Sequence, residues 1–194
     1  LDALEIQNAH IAGISYGAEV SMALALKYPQ RVLSLFLASG VSESDAVLHG
    51  FIQSWAAAAQ AGDPQQLFQV SYPLNFSADY IAANRLAIEA AASRYALLDM
   101  EAVLELLACF DRLDITPELT RITAPTLVVV GENDMLKPRK FSEIIAGKIP
   151  GADLVVIPGA GHAVCLEKPV LFNGLLLGFL ALHPKPAAGS TPGT

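Results

Sequence analysis

The sequence predicts an α/β fold: a mostly parallel sheet with flanking helices. Three observations carry the prediction. Short apolar runs of strand length, 32–38 (VLSLFLA), 126–130 (TLVVV) and 153–157 (DLVVI), alternate with segments of helical periodicity. The first two are nearly continuous in their apolar character, as strands covered on both faces are. Gly40, Gly131 and Gly159 each stand within two residues of a run's end.

Taken in order, residues 1–6 (LDALEI) read like the last turn of a helix, so the 194 residues are expected to start in mid-element. Residues 9–14 are a β-compatible run, and 16–27 place Val20, Ala23, Leu24 and Leu26 at roughly helical spacing up to Pro29. After the 32–38 strand the β signal disappears. From 41 to 115 the pattern is Ala-rich and helical, punctuated by Gly62-Asp63-Pro64 and Tyr72-Pro73, which predicts an insertion of three or four helices. One of them carries Leu97, Leu98, Val103, Leu104, Leu106 and Leu107, with Glu101 and Glu105 outward. The alternation then resumes: strand 126–130, a helix over 138–149 with Pro138 near its first turn, strand 153–157 and a helix over 168–182. The organisation expected is core over 1–40, helical insertion over 41–115, core again over 116–183, and a Pro-, Gly- and Ser-rich disordered tail over 184–194.

Composition narrows the function. With 53% apolar and 16% charged residues the chain is not disordered. A net charge of −7 without long runs offers no footprint for a phosphate backbone, so nucleic acid is not an expected partner. The apolar stretch 171–182, interrupted by Asn173, Gly174 and Gly178, falls short of the roughly 20 residues a membrane span needs. Cys109 and Cys165 form no disulfide framework and no CxxC motif, which fits a reducing compartment and a cytoplasmic location. His10, His49 and His183 are spaced too irregularly for zinc. No metal or cofactor is expected, and neither cysteine is given a role.

Three strand-end loops hold the residues that carry chemistry. In Gly13-Ile14-Ser15-Tyr16-Gly17, a strand turning at once into a helix forces the central Ser into a strained backbone with its hydroxyl exposed, and small residues two positions either side avoid a clash. Asp134 follows the TLVVV strand and His162 follows DLVVI. A Ser hydroxyl is a poor nucleophile at neutral pH. It needs an imidazole to take its proton and a carboxylate to orient that imidazole. Ser15, Asp134 and His162 supply the set, with Glu132 and Glu43 as fallback acids.

This arrangement resembles the second half of an α/β-hydrolase of the kind that includes esterases, lactonases, cofactor-free haloperoxidases and meta-cleavage-product hydrolases. The resemblance implies that Ser15 is the nucleophile, Asp134 the acid and His162 the base, with the Tyr16 backbone N–H in the oxyanion hole. The run GHAVCLEKP is similar to the family's exit from its histidine loop, and 41–115 occupies the place of its cap domain. Ala18 stands where many relatives have a second Gly. The family also has strands and helices ahead of this elbow, and a loop among them supplies a second oxyanion N–H. An N-terminal segment of the same protein, outside these 194 residues, is therefore an expected partner, and without it the 9–14 strand is an apolar edge.

The implied activity is acyl transfer to water on a small-molecule carboxylic ester with a hydrophobic acyl or aryl group. Carbon–carbon bond hydrolysis, lactone opening and peracid formation use the same residues and stay open, as does a non-catalytic module binding a ligand or protein. Phe51, Trp55, Phe68 and Tyr72 are the candidates to line the pocket over Ser15, alongside Phe76 and Tyr80. The competing reading makes these aromatics the insertion's own core.

Overall fold

Four strands form where the sequence is most continuously apolar: β1 (Ala9–Ile14), β2 (Val32–Ala38), β3 (Thr126–Gly131) and β4 (Asp153–Ile157). They pair in parallel in the order β1-β2-β3-β4 in this computed structural model, which describes residues 1–184. All but one residue of the expected disordered tail, 184–194, lies outside the described residues. β2 and β3 are central and buried almost throughout, which accounts for their apolar character on both faces. Among the described residues β1 pairs with β2 alone, and Ile14 is partly exposed.

Each face of the sheet carries its own core. On one, α1 (Tyr16–Lys27) and α6 (Arg139–Lys148) pack Ala18, Met22, Ala25 and Ile145 against Leu35, Leu37 and Val128. On the other, Phe172 and Phe179 of α8 (Pro169–Leu182) meet Phe36, Leu127, Val129 and Ile157, with Phe36 and Phe172 edge to face at 5.3 Å. The buried stripe of α1 differs from the expected one, since Val20 and Ala23 are exposed. Close approach decides it. A Cβ on Gly40 would lie 2.7 Å from the Ala18 Cβ, so Ala18 faces the chain just past β2, and Met22 and Ala25 on the same side of α1 are buried with it.

Between β2 and β3 the chain forms α2 (Ala46–Gln60), α3 (Pro64–Asn75), α4 (Ala78–Ala91) and α5 (Met100–Asp111), with a 3₁₀ segment, Ala92–Leu97, ahead of α5. Each of the four opens on a side-chain cap: Asp45, Asp63, Ser77 and Asp99 accept backbone N–H groups of the following turn. The Gly62-Asp63-Pro64 break is present, with Gly62 at φ +63°. The expected break at Tyr72-Pro73 is absent, because α3 runs through Pro73 to Asn75. So close to the C-terminus the proline forfeits one helical bond, to the Gln69 carbonyl, and the helix has little left to lose. The sequence reading also passed over a single turn, α7 (Val164–Glu167), just after His162.

This helical block sits over the carboxyl ends of the strands and is fastened to the loops that follow them. Ser42 accepts the Ile115 N–H, and Glu43 bridges to Asp114. Leu48, Ile52 and Phe110 pack with Val41 from the loop after β2 and Leu136 from the loop after β3. Asn75 accepts the Ala163 N–H at 2.9 Å, and the Glu167 carboxylate accepts both the Ser77 N–H (3.0 Å) and its hydroxyl (2.5 Å). Among the described residues no helix is long and apolar enough to cross a membrane.

Asp99 is exposed and, among the described residues, its side chain serves only as the α5 cap, accepting from Glu101 at 3.0 Å and Ala102 at 3.2 Å. Asp99→Ala is expected to lower stability by about 1 kcal/mol, read from the urea midpoint at unchanged m-value.

Candidate active site

Ser15 sits between β1 and α1 with φ 54° and ψ −120°. A positive φ at a residue with a side chain costs about 1–3 kcal/mol and persists only where neighbours over-determine it. Here its N–H is held by the Ala38 carbonyl at 2.8 Å, and its carbonyl accepts from Ala18. A Cβ on Gly13 would lie 2.2 Å from the Gly17 carbonyl oxygen and 2.4 Å from the Ser21 hydroxyl, so this glycine is required. Gly17 is not: beyond its own helix, a Cβ there meets nothing within 4 Å. The expectation that both glycines relieve a clash therefore holds on one side of Ser15 only.

Asp134 leaves β3 in a turn bonded to Gly131, and His162 follows β4. Their loops are cross-tied. The Asn133 N–H donates to the Ala160 carbonyl at 2.8 Å, and the Gly159 N–H donates to the Glu132 carboxylate at 2.9 Å. The three side chains meet: His162 Nε2 is 2.8 Å from Ser15 Oγ, and His162 Nδ1 is 2.9 Å from Asp134 Oδ2. With Nδ1 protonated, the imidazole donates to the carboxylate and accepts from the hydroxyl. Asp134 and His162 are buried and Ser15 is half-exposed. The other Asp134 oxygen accepts the Lys137 N–H at 2.8 Å, and the His162 carbonyl accepts the Ser39 hydroxyl at 2.9 Å. Neither fallback acid joins this chain: Glu132 holds Gly159 and Glu43 bridges to Asp114. Tyr16 opens α1, where the first-turn N–H groups lack helical partners and the helix dipole is positive.

A cavity of about 310 Å³ opens beside Ser15 and Tyr16. Of the four aromatics expected to line it, Trp55 does so. Phe51 instead packs against the Val41 and Leu48 cluster, because its helical position faces the loop after β2. Phe68 and Tyr72 stack on each other at 5.0 Å and line a neighbouring cavity of about 450 Å³ with Phe76 and Tyr80. The two cavities share Asn75 and Tyr95 as a common wall. The sequence reading missed the opposite wall beside Ser15: Leu98, Val103, Leu106, Leu107 and Phe110. The apolar spacing of Leu98, Val103, Leu106 and Leu107 is visible in the sequence, but α5 begins only at Met100, so Leu97 and Leu98 precede the helix, and Leu106 is half-exposed toward the opening.

It missed a second feature. Glu19 and Lys137 are both buried, with Lys137 Nζ 3.0 Å from Glu19 Oε1 and 4.7 Å from the Phe110 ring centre. Burial pushes the Glu19 carboxyl above its ordinary range and the Lys137 ammonium below its own, and mutual attraction opposes both shifts. The available signal was an acid one helical turn after Ser15, beside residues that pack on the sheet.

The family model described as the alpha/beta hydrolase fold matches residues 1–169. The chain belongs to that family. "Putative carbamate hydrolase RutD" of Pseudomonas syringae pv. syringae (strain B728a) is 31% identical over 186 residues, covering 95% of this chain and 72% of the relative. Among solved structures, a hydrolase from Pseudomonas aeruginosa PA01 superposes with a TM-score of 0.85 at 31% identity, covering 93% of this chain and 67% of that one. An N-acyl homoserine lactone degrading enzyme gives 0.77 at 31% identity, covering 92% and 70%.

The two glycines flanking Ser15 should separate in equilibrium unfolding. Gly13→Ala is expected to destabilise by about 1–3 kcal/mol through overpacking. Gly17→Ala, on a helix with space around it, should be neutral or stabilising by up to about 1 kcal/mol.

Proposed function

We propose that this chain is the catalytic part of a serine hydrolase that transfers an acyl group to water. The observation that carries the reading is the unbroken hydrogen-bonded chain from Ser15 Oγ through His162 to Asp134. Ser15 Oγ attacks the substrate carbonyl carbon while His162 Nε2 takes the hydroxyl proton. Asp134 fixes the tautomer and stabilises the imidazolium. The oxyanion that forms is met by the Tyr16 N–H at the positive end of α1. Collapse of the tetrahedral adduct breaks the bond to the leaving oxygen, to which His162 returns the proton, leaving an acyl-Ser15 ester. Water, deprotonated by His162, repeats the sequence and releases the acid with Ser15 restored.

The substrate class is a carboxylic ester with a hydrophobic acyl or aryl group, and α2–α5 act as the cap over the site. The cavity beside Ser15 supports this, since Trp55, Leu98, Val103, Leu106, Leu107 and Phe110 give it an apolar wall. Carbamates and lactones, which the names of the relatives bring in, undergo the same carbonyl attack. A small polar carbamate would leave that wall unfilled.

Ser15→Ala is expected to lower kcat on a small aryl ester by about 10⁶-fold and to abolish labelling by a fluorophosphonate. Asp134→Asn should cost about 10⁴-fold in kcat with the fold intact by circular dichroism. An Ala variant that still turns over the ester would remove Ser15 from the reaction.

A further inference from the structure

Glu19 and Lys137 take no part in the bond changes of the scheme above, yet they form a buried ion pair at the edge of the Ser15 cavity, which Lys137 helps to line. Taking two charges out of water costs several kcal/mol per ion, and attraction offsets it only where every remaining polar atom is satisfied. Here the satisfaction is incomplete, because Glu19 Oε2 is buried with no partner among the described residues. Stability is a poor reason for such a pair. Its connections supply another. Glu19 Oε1 accepts both Lys137 Nζ at 3.0 Å and the Val41 N–H at 2.8 Å, so one oxygen joins the first turns of α1, the loop after β2 and the loop after β3.

We propose that Glu19 and Lys137 are positioning residues that hold the Asp134 loop in register with the helix that begins at Ser15. This rests on the Ser15–His162–Asp134 relay proposed above. Lys137 grips at two points. Its side chain reaches Glu19, four residues along the helix from Ser15, and its backbone N–H donates to Asp134 Oδ1 at 2.8 Å. The other carboxylate oxygen meets His162 Nδ1. Any residue at position 137 supplies an N–H, but only one anchored to α1 places that N–H at a fixed distance from Ser15. Without the anchor the carboxylate turns about its own bond and the imidazole loses its orientation toward Oγ.

The test uses the whole chain and two variants, with Ser15→Ala as the labelling blank. In E19M/K137M, unbranched apolar side chains replace the ions, a change buried pairs often tolerate without loss of stability. In E19Q, the amide oxygen can still accept from Val41 and Lys137. Three quantities are read: the second-order rate of fluorophosphonate labelling, kcat and KM on an aryl ester, and the thermal midpoint. The double variant is expected to unfold cooperatively near the parent midpoint, with labelling and kcat lowered by about tenfold or more and KM within about threefold. E19Q should stay within about threefold of the parent in labelling. Parent-like labelling and kcat in the double variant overturn the proposal, as does an E19Q as slow as the double variant. If the double variant does not fold, E19Q/K137M, which leaves no unpaired buried charge and keeps an acceptor for the Val41 N–H, takes its place with the same outcomes. A parent chain that is not labelled at all overturns the relay, and the positioning role with it. A labelled parent with an equally labelled double variant overturns the positioning role alone.

Discussion

Parallel register is the constraint on which the site depends. Ile14 pairs with Ala38, Ala38 with Val129 and Val129 with Val155, so the four strands reach their carboxyl ends nearly in step and the chain leaves each at a similar height. The ladder continues past the strands themselves: Ser15 donates to Ala38, Ser39 to Val129 and Glu132 to Ile157. These bonds set where three loops begin, and the loop lengths then bring together side chains 147 and 28 residues apart. Ser15 and Ser39 both take positive φ at this rim, a cost borne by the ladder on either side.

What was legible in the sequence follows from what is local. Strands buried on both faces have to be apolar on both, so β2 and β3 declared themselves. The elbow declared itself because Gly13 admits no side chain where α1 crosses it. Asp134 and His162 could be named because each sits just past a short apolar run of strand length. The phase of α1 was not legible, since Val20 and Ala23 look as buriable as Met22 and Ala25 until the close approach at Gly40 is known. Pro73 misled for a related reason: its effect depends on how much helix remains, not on the residue alone.

Long-range pairing was the other blind spot. Glu19 and Lys137 are 118 residues apart, and each in isolation reads as an ordinary surface charge. Nothing in a helical wheel or a strand run reveals that the two cancel one another inside the protein. The pocket aromatics failed in a different way. Trp55, Phe68 and Tyr72 all belong to cavities in the helical block, but a wall built from Tyr95 and Asn75 divides them, and chemical type does not tell one side of that wall from the other.

The grip of Asn75 and Ser77 on Ala163 and Glu167 bears on how material enters and leaves. These bonds fasten the α3–α4 corner directly to the residues that follow the imidazole, so raising that corner would drag His162 away from Ser15. The residues just ahead of α5 and α5 itself meet the opening with exposed leucines, Leu98 at 43% and Leu106 at 51%. Breathing of the mouth therefore costs least along this leucine flank, where side chains can swing aside without disturbing His162. Changes in the width of the cavity mouth are most cheaply made there, and the histidine corner stays fixed as a hinge post.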